Sequence, residues 1–165
     1  MAVRYGLRVK LGREASSSLR FHKGWAYYIK YMKKKILVVD DEAHIIKIVK
    51  ARLEANNYEV LTAYDGLSGI DKAVKFKPDL ILLDLMMPVM DGYEACRRLK
   101  ADPDTKGIPV LVFSATSQPN VIEKATQAGA ADFIEKPFDG DVLIYEIDMI
   151  VNRRKGGEKE DTGNR

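Results

Sequence analysis

The chain has 165 residues, of which 46% are hydrophobic and 31% are charged, as in globular proteins. This length suits one ordinary domain with an appendage and does not suit two full-sized domains. The single cysteine, Cys96, cannot form an internal disulfide, and the two histidines, His22 and His44, lie far apart, which excludes a structural zinc site. No apolar run approaches the roughly 18 to 20 residues of a membrane helix. We therefore expect a cytoplasmic protein without membrane insertion.

The net charge of +3 is unevenly distributed along the chain. Residues 1–31 contain seven basic residues and one acidic residue, whereas the remainder is mildly acidic. The main body is therefore not expected to bind nucleic acid through bulk electrostatics. Residues 1–31 show no sustained periodicity and are predicted to be a poorly ordered or non-native extension. Upstream sequence translated ahead of a true start at Met32 is favoured over a functional extension.

From Met32 onward, short apolar runs alternate with helical patterns. Five runs predict strands, and their continuous, β-branched character indicates burial on both faces. The runs are Ile36–Val39, Glu59–Ala63, Leu80–Leu83, Val110–Phe113 and Phe133–Ile134. Apolar residues at helical spacing follow each run, in the sets Ile45/Val49/Leu53, Leu67/Ile70/Val74, Tyr93/Cys96/Leu99, Ile122/Ala125 and Leu143/Ile147/Ile150. Five strand–helix units predict an α/β fold with a parallel sheet and right-handed crossovers.

Polar side chains follow four of the five predicted strands, at the edge where open parallel sheets bind ligands. In strand order they are Asp40, Asp41 and Glu42, then Asp84, then Ser114, then Glu135 and Lys136. Carboxylates without histidine favour Mg²⁺, and a lysine with a hydroxyl suits phosphoryl oxygens. An aspartate in such a site can act as a nucleophile and form an acyl phosphate. The ordered set therefore predicts Mg²⁺-assisted phosphoryl transfer.

Most of these residues also have a purely structural interpretation. Asp41 and Glu42 could cap the next helix, and Ser114 could be a turn residue. Asp84 is the hardest to explain in this way, because an unpaired carboxylate at the end of a buried strand is costly. The three methionines after it are predicted to pack rather than to bind metal; they are Met86, Met87 and Met90.

The motifs resemble the receiver domain of two-component response regulators. The segments that carry the resemblance are Ile36–Glu42, Asp84–Pro88 with Asp91–Gly92, Phe113–Ala115 and Gly129–Phe138. Order and spacing agree from about Lys34 to Arg154, so residues 32–154 are interpreted as a receiver domain and residues 155–165 as a charged tail. The resemblance implies a flavodoxin-like, doubly wound (βα)5 fold with a five-stranded parallel sheet in the order 2-1-3-4-5.

The resemblance also implies roles for the acidic residues. Asp84 would be the phosphoacceptor, receiving a phosphoryl group from a phosphohistidine on a histidine kinase or a phosphotransfer protein. Asp40, Asp41, Asp84 and the backbone carbonyl of Met86 would bind Mg²⁺. Met86 and Thr116 would flank the phosphoryl group, and neither carries a carboxylate or amide to orient water. We therefore predict slow self-dephosphorylation.

A second group of residues is implied to form the switch. Lys136 would pair with one phosphoryl oxygen and Ser114 would hydrogen-bond another. Phe133 would then turn inward, and the Lys136–Pro137 peptide bond would be cis. These changes would remodel the face built from the fourth helix, the fifth strand and the fifth helix, where a downstream target protein would bind. A phosphorylation-dependent homodimer is a further expectation.

The leading interpretation is thus a stand-alone response regulator, a phosphoacceptor switch and not a turnover enzyme. One alternative is a phosphorylation-independent adaptor with the same fold. A flavin-binding protein or a Mg²⁺-dependent phosphatase is another, although three acids after the first strand would repel a flavin phosphate unless Mg²⁺ intervened. A further alternative is nucleic-acid binding by the basic extension, which deletion of residues 1–31 would test.

Overall fold

The computed structural model describes residues 33–153. The predicted extension, residue 32 and the predicted tail lie outside the described residues, so the proposed domain boundaries stay predictions. The strands are β1 Lys35–Val39, β2 Glu59–Ala63, β3 Leu80–Asp84, β4 Val110–Ser114 and β5 Asp132–Glu135. The helices are α1 Ala43–Ala55, α2 Gly66–Phe76, α3 Gly92–Ala101, α4 Pro119–Gln127 and α5 Gly140–Arg153. Within residues 33–153, no helix combines the length and apolar character needed to cross a bilayer.

The five strands form one parallel sheet in the order β2-β1-β3-β4-β5. This confirms the predicted flavodoxin-like fold. The first and third strands are neighbours, with Val39 opposite Leu83. The residues that follow these two positions, Asp40 and Asp84, therefore leave the sheet side by side at its carboxyl edge.

Helices cover both faces of the sheet. Along β1, Leu37 and Val39 pack with α2, α3 and α4, whereas Ile36 and Val38 pack with α1 and α5. All four side chains are buried, as the continuous apolar runs predicted. The carboxyl edge is thus the part of the sheet that the two helical layers leave open to a ligand.

The buried face of α2 differs from the one that its apolar spacing predicted. Leu67 is half exposed, and the residues of α2 that are fully buried are Gly66, Gly69 and Ala73. A Cβ atom at Gly69 would lie only 2.9 Å from a methyl carbon of Val39. The helix backbone therefore lies against β1, and larger side chains are displaced to its flanks.

Candidate functional site

Three aspartates converge at the carboxyl edge of the sheet. Asp40 directly follows β1, Asp41 is the next residue, and Asp84 ends β3. One carboxylate oxygen from each lies within 4.8 Å of the other two. Asp40 is 0% exposed and Asp84 is 3% exposed, whereas Asp41 is open to solvent. The structure thus brings together the three carboxylates that the sequence indicated.

Lys136 connects the two buried carboxylates from the far side of the site. Its Nζ donates to Asp40 Oδ2 at 2.8 Å and to Asp84 Oδ1 at 3.3 Å. Its backbone N–H donates to the Ser114 carbonyl at 2.7 Å, which attaches the residue to the end of β4. The following Lys136–Pro137 peptide bond is cis, as the resemblance implied. One ammonium group therefore faces two buried carboxylates, with a third acid at the rim.

The charges in this cluster are not balanced. Burial raises the pKa of the Asp84 carboxyl, and the negative charge of Asp40 raises it further, against the opposing effect of Lys136. Burial alone would lower the pKa of Lys136, but its hydrogen bond to Asp40 and the charges of both carboxylates raise it. A cation would relieve the excess negative charge. Because all three available ligand atoms are oxygens, the cluster fits a hard divalent ion such as Mg²⁺.

Two aromatic rings pack beside Lys136. The Phe113 ring lies beneath Lys136, with its centroid 4.4 Å from Nζ. Phe138 in turn packs edge-on against Phe113, with ring centroids 6.2 Å apart. The sequence analysis includes Phe113 and Phe138 in the motifs of the resemblance but predicts no contact between either ring and Lys136. The position of Phe138 two residues after Lys136 was the one signal that could have indicated this contact.

Ser114 ends β4 next to the aspartates. The residue is 1% exposed, and its hydroxyl oxygen is buried without a hydrogen-bond partner among residues 33–153. An unsatisfied buried hydroxyl is costly, so this group is a ready donor for an anion. Phe133, on the neighbouring strand β5, is half-buried against the core layer that contains α4.

The loop after Asp84 is held closely against the site. The Asp91 carboxylate caps α3 by accepting a hydrogen bond from the Glu94 backbone N–H at 2.8 Å. The Gly92 N–H donates to the Leu85 carbonyl at 2.9 Å. A Cβ atom at Gly92 would lie 2.2 Å from the backbone oxygen of Asp84, so only glycine fits this position. The sequence motif contains this glycine, but its steric reason emerges only in three dimensions.

Two acidic residues of the predicted rim lie outside the cluster. The Glu42 carboxylate lies 3.9 Å from Lys136 Nζ, farther than the carboxylates of Asp40 and Asp84. Glu42 is the N-cap residue of α1 but makes no side-chain capping bond, and its N–H donates to Asp40 Oδ1 instead. Glu135 turns away and accepts hydrogen bonds from the Ser117 N–H at 3.2 Å and the Ser117 hydroxyl at 2.7 Å.

The methionines beside the site divide into two groups. Met87 and Met90 are buried in the core, as predicted. Met86 is instead 68% exposed at the mouth of the site. Thr116, the other predicted flanking residue, is half-buried in the loop after β4.

Comparison with known proteins identifies the family. The sequence profile of the response regulator receiver domain matches residues 36–148. The response regulator PleD of Caulobacter vibrioides is 44% identical over 124 residues, which cover 75% of this chain and 27% of PleD. The DNA-binding dual master transcriptional regulator RpaA of Synechocystis is 39% identical over 119 residues, which cover 72% of this chain and 49% of RpaA. The chain therefore spans only a quarter to a half of the length of these two relatives.

Solved structures agree with this assignment. The chemotaxis protein CheY4 of Vibrio cholerae has a TM-score of 0.69 and 31% identity, covering 72% of this chain and 98% of CheY4. The receiver domain of the sensor histidine kinase PA1611 of Pseudomonas aeruginosa has a TM-score of 0.69 and 28% identity, covering 73% of this chain and 98% of that domain. That structure has a magnesium ion coordinated in its active site cleft. From the profile match, the identities and the sheet order, we conclude that this chain belongs to the response regulator receiver domain family of two-component signalling.

Proposed function

We propose that this receiver domain accepts a phosphoryl group on Asp84 from the phosphohistidine of a histidine kinase or a phosphotransfer protein. The observation that carries the proposal is the convergence of three carboxylates with Lys136, whose Nζ lies 2.8 Å from Asp40 and 3.3 Å from Asp84. Asp84 is the residue of this set that ends the central strand β3, with Lys136 and the Ser114 hydroxyl on the same edge. Family membership supports the same assignment.

Mg²⁺ is the proposed cofactor. Asp40, Asp41, Asp84 and the backbone carbonyl of Met86 would hold it, and when bound it would offset the negative charge of the acceptor and of the phosphoryl group. The excess of carboxylate over ammonium in the cluster supports this assignment. The magnesium ion in the PA1611 receiver domain is a parallel from within the family.

The proposed reaction is a direct displacement at phosphorus. A carboxylate oxygen of Asp84 forms the new P–O bond while the P–N bond of phosphohistidine breaks, and its electron pair returns to the imidazole nitrogen. Lys136 neutralises one phosphoryl oxygen, at a position held by the Phe113 ring and the Ser114 carbonyl. The product is an acyl phosphate, and no second substrate is turned over, so the chain acts as a switch.

The switch is proposed to begin at the unpartnered Ser114 hydroxyl. Donation to a phosphoryl oxygen would satisfy this buried group and draw the end of β4 towards Asp84. Phe133 would turn into the space released, changing the surface of α4, β5 and α5, where a downstream target protein would bind. In this proposal the protein works in the cytoplasm, where a buried free thiol such as Cys96 stays reduced.

Intact-mass measurement with acetyl phosphate tests the acceptor. We expect the full chain to gain the mass of one phosphoryl group when Mg²⁺ is present and none in excess chelator. Asp84→Asn should gain nothing, because an amide oxygen is a poor nucleophile. Asp71→Asn, a matched change of an exposed carboxylate on α2, should be modified like the wild type.

Two outcomes would contradict the proposal. Modification of Asp84→Asn to the same extent would place the acceptor elsewhere. A folded wild-type chain that neither gains mass nor binds beryllofluoride with Mg²⁺ would instead favour a phosphorylation-independent adaptor.

The lifetime of the acyl phosphate tests the residues that flank it. Met86 is exposed at the site, and neither it nor Thr116 has a carboxylate or amide to orient an attacking water. Met86→Asn supplies such a group and should shorten the lifetime by about tenfold. This is less than the roughly 10²- to 10⁴-fold of general acid–base catalysis, because an amide orients the water without taking its proton. Met86→Leu, which adds no polar group, should leave the decay rate unchanged. Equal decay of the two variants would remove this explanation.

A further inference from the structure

The edge strand β5 and the two helices that flank it form a continuous exposed surface. β5 ends the sheet, α4 packs on one side of it and α5 packs on the other. We call this surface the α4–β5–α5 face. Its exposed or half-exposed side chains are Ile122 on α4, Asp132 and Glu135 on β5, and Val142, Tyr145, Glu146 and Met149 on α5.

Contacts with α1 settle the orientation of α5. Asp141 pairs with Arg52 of α1, and Asp148 accepts a hydrogen bond from Tyr58, which directly precedes β2. Val142, Glu146 and Met149 lie about 80 to 140° around the helix from Asp141, given about 100° per residue. The buried residues Leu143 and Ile147 lie at about 200 to 240°, so these three side chains lie on the flank of α5 opposite α1, towards β5. Tyr145, at about 40°, faces solvent between the two flanks.

The face has an apolar ridge. Val142, Tyr145 and Met149 follow one another at helical spacing and are 50%, 60% and 37% exposed. Ile122 adds a further exposed apolar side chain from α4. Among residues 33–153 nothing packs over this ridge. Tyrosine is among the residues that are enriched in binding hot spots, so Tyr145 is the expected anchor of this ridge.

The charges beside the ridge are all negative. Asp132, Glu135 and Glu146 form no ion pair with a described lysine or arginine. The hydrogen bonds of the first two come from neutral groups: Asp132 accepts from the Phe133 N–H and Glu135 from Ser117. Lys124 of α4 lies on the other side of its helix, in the groove shared with Tyr93 and Arg97 of α3. Within the described side chains, the face therefore presents three carboxylates without a cation.

This charge pattern argues against a second copy of the chain as the occupant. A twofold interface places the same patch on both sides, so the carboxylates of one copy would meet those of the other. Such like-charge contacts are unfavourable, and no described lysine or arginine on the face could relieve them.

We propose that the α4–β5–α5 face binds a basic amphipathic segment of a different protein, whose lysine or arginine side chains pair with Asp132, Glu135 and Glu146 while apolar side chains cover Val142, Tyr145 and Met149. The inference rests on the proposed function for its role as the output of the switch. The complementarity of charge and apolar surface stands independently of phosphorylation.

One contact couples this face to the phosphorylation site. Ser117 lies three residues after Ser114 and donates two hydrogen bonds to the Glu135 carboxylate. Movement of Ser114 towards a phosphoryl group would draw the intervening loop with it and break these bonds. The carboxylate of Glu135 would then be released to meet a cation of the partner, so phosphorylation should strengthen binding.

Selection from a display library of random helix-length peptides tests the inference. The full chain, loaded with Mg²⁺ and beryllofluoride, serves as bait, and we expect the enriched peptides to be basic with apolar residues at helical spacing. Their binding should weaken with added salt. It should also weaken by about fivefold without beryllofluoride, at the lower end of allosteric coupling.

Substitutions on the face supply the controls. Tyr145→Ala and Glu146→Lys should each weaken the selected peptides by about tenfold, because one removes the apolar anchor and the other reverses a paired charge. Asp71→Lys, an equivalent reversal on α2, should change binding by less than about twofold. Tyr145 and Asp71 are exposed and Glu146 is half-exposed, so all three variants should fold like the wild type.

The possible results separate this inference from the proposed function. Three results would overturn the inference of a basic partner, even if Asp84 is phosphorylated in the same preparation. The selection could enrich acidic peptides, it could enrich no peptide, or the enriched peptides could bind Tyr145→Ala and Glu146→Lys as well as they bind the wild type. Light scattering that shows a beryllofluoride-dependent dimer abolished by Tyr145→Ala would overturn it in favour of a second copy. Basic enrichment without phosphorylation of Asp84 would support this surface and contradict the switch.

Discussion

The middle and the carboxyl end of strand β3 are similarly buried but chemically opposite. Leu82, in the middle of β3, is 0% exposed, and Asp84, two residues later on the same strand, is 3% exposed. Burial of the leucine stabilises the fold by removing apolar surface from water. Burial of the aspartate, beside Asp40 and an unpartnered Ser114 hydroxyl, has the opposite sign. The centre of the strand stabilises the fold, and its end holds a buried carboxylate whose charge is unfavourable there.

The largest expected effect comes from a substitution in the buried middle of β3. Leu82→Ala removes three buried carbons from the core layer between the sheet and helices α1 and α5, and should lower the free energy of unfolding by about 3 kcal/mol, measured by urea denaturation. Leu67→Ala, the same change at a half-exposed position of α2, should lower it by less than about 1 kcal/mol. Similar losses for the two variants would mean that burial does not distinguish these positions.

Two glycine substitutions test how closely the backbone is packed at the carboxyl edge of the sheet. Gly92→Ala would place a Cβ 2.2 Å from the Asp84 backbone oxygen, and rigid backbone cannot yield cheaply, so we expect a loss of about 2 kcal/mol. The shifted Asp84 should also be phosphorylated more slowly by acetyl phosphate. Gly66→Ala provides the control, because its Cβ would meet the flexible Met90 side chain at 3.0 Å. Equal losses would show that closeness to backbone is not what requires glycine at position 92.

Removing the charge of Asp84, the proposed acceptor, should raise the free energy of unfolding, whereas a core substitution lowers it. Two buried carboxylates share Lys136, and Asp84→Asn leaves Lys136 and Asp40 as a matched pair. We expect Asp84→Asn to raise the free energy of unfolding by about 1 kcal/mol in chelator, because like-charge repulsion and the cost of burying a charge are both reduced. Added Mg²⁺ should reduce the difference in the free energy of unfolding between Asp84→Asn and the wild type, because the ion stabilises the folded wild type.

The control for this gain is Asp65→Asn, which changes an exposed carboxylate that caps α2. Asparagine caps a helix about as well as aspartate but lacks the negative charge that a helix N-terminus favours. The free energy of unfolding of Asp65→Asn should therefore stay the same or fall slightly, and should not rise. A loss of stability in Asp84→Asn would show that the edge is electrostatically satisfied without a cation.

The same contrast explains what could be predicted from the sequence. Asp40, Asp84 and Lys136 could be grouped in advance, because parallel strands end at one edge and each residue directly follows an apolar run. The sheet order depended on the family resemblance, since right-handed crossovers alone leave more than one topology. The predicted buried face of α2 was wrong because apolar periodicity counts Leu67 as a core residue and does not count Gly69. In the structure, the absence of a side chain at Gly69 is what brings that helix close to β1.

Contacts that depend on side-chain conformation were beyond sequence reasoning. The Phe113 ring under Lys136 and the bonds from Ser117 to Glu135 join residues on different elements, and their formation depends on rotamers and on the path of a loop. No spacing rule reports such contacts. They lie around the site, where local patterns are weakest as predictors and where function imposes requirements of its own.

The smallest expected effect concerns strain in the loop beside the site. Val89 is fully exposed with φ of 69°, and the Met90 N–H donates to the Pro88 carbonyl at 2.8 Å around it, which forms a tight turn that L-residues rarely adopt. Val89→Gly removes the steric strain but gives the unfolded chain more freedom, so the net gain should be below about 1 kcal/mol. Val142→Gly, at an exposed position of α5, should instead lose about that amount. If both variants lost stability equally, the turn at Val89 would not be strained, and the cost of the edge would reside in its buried charges alone.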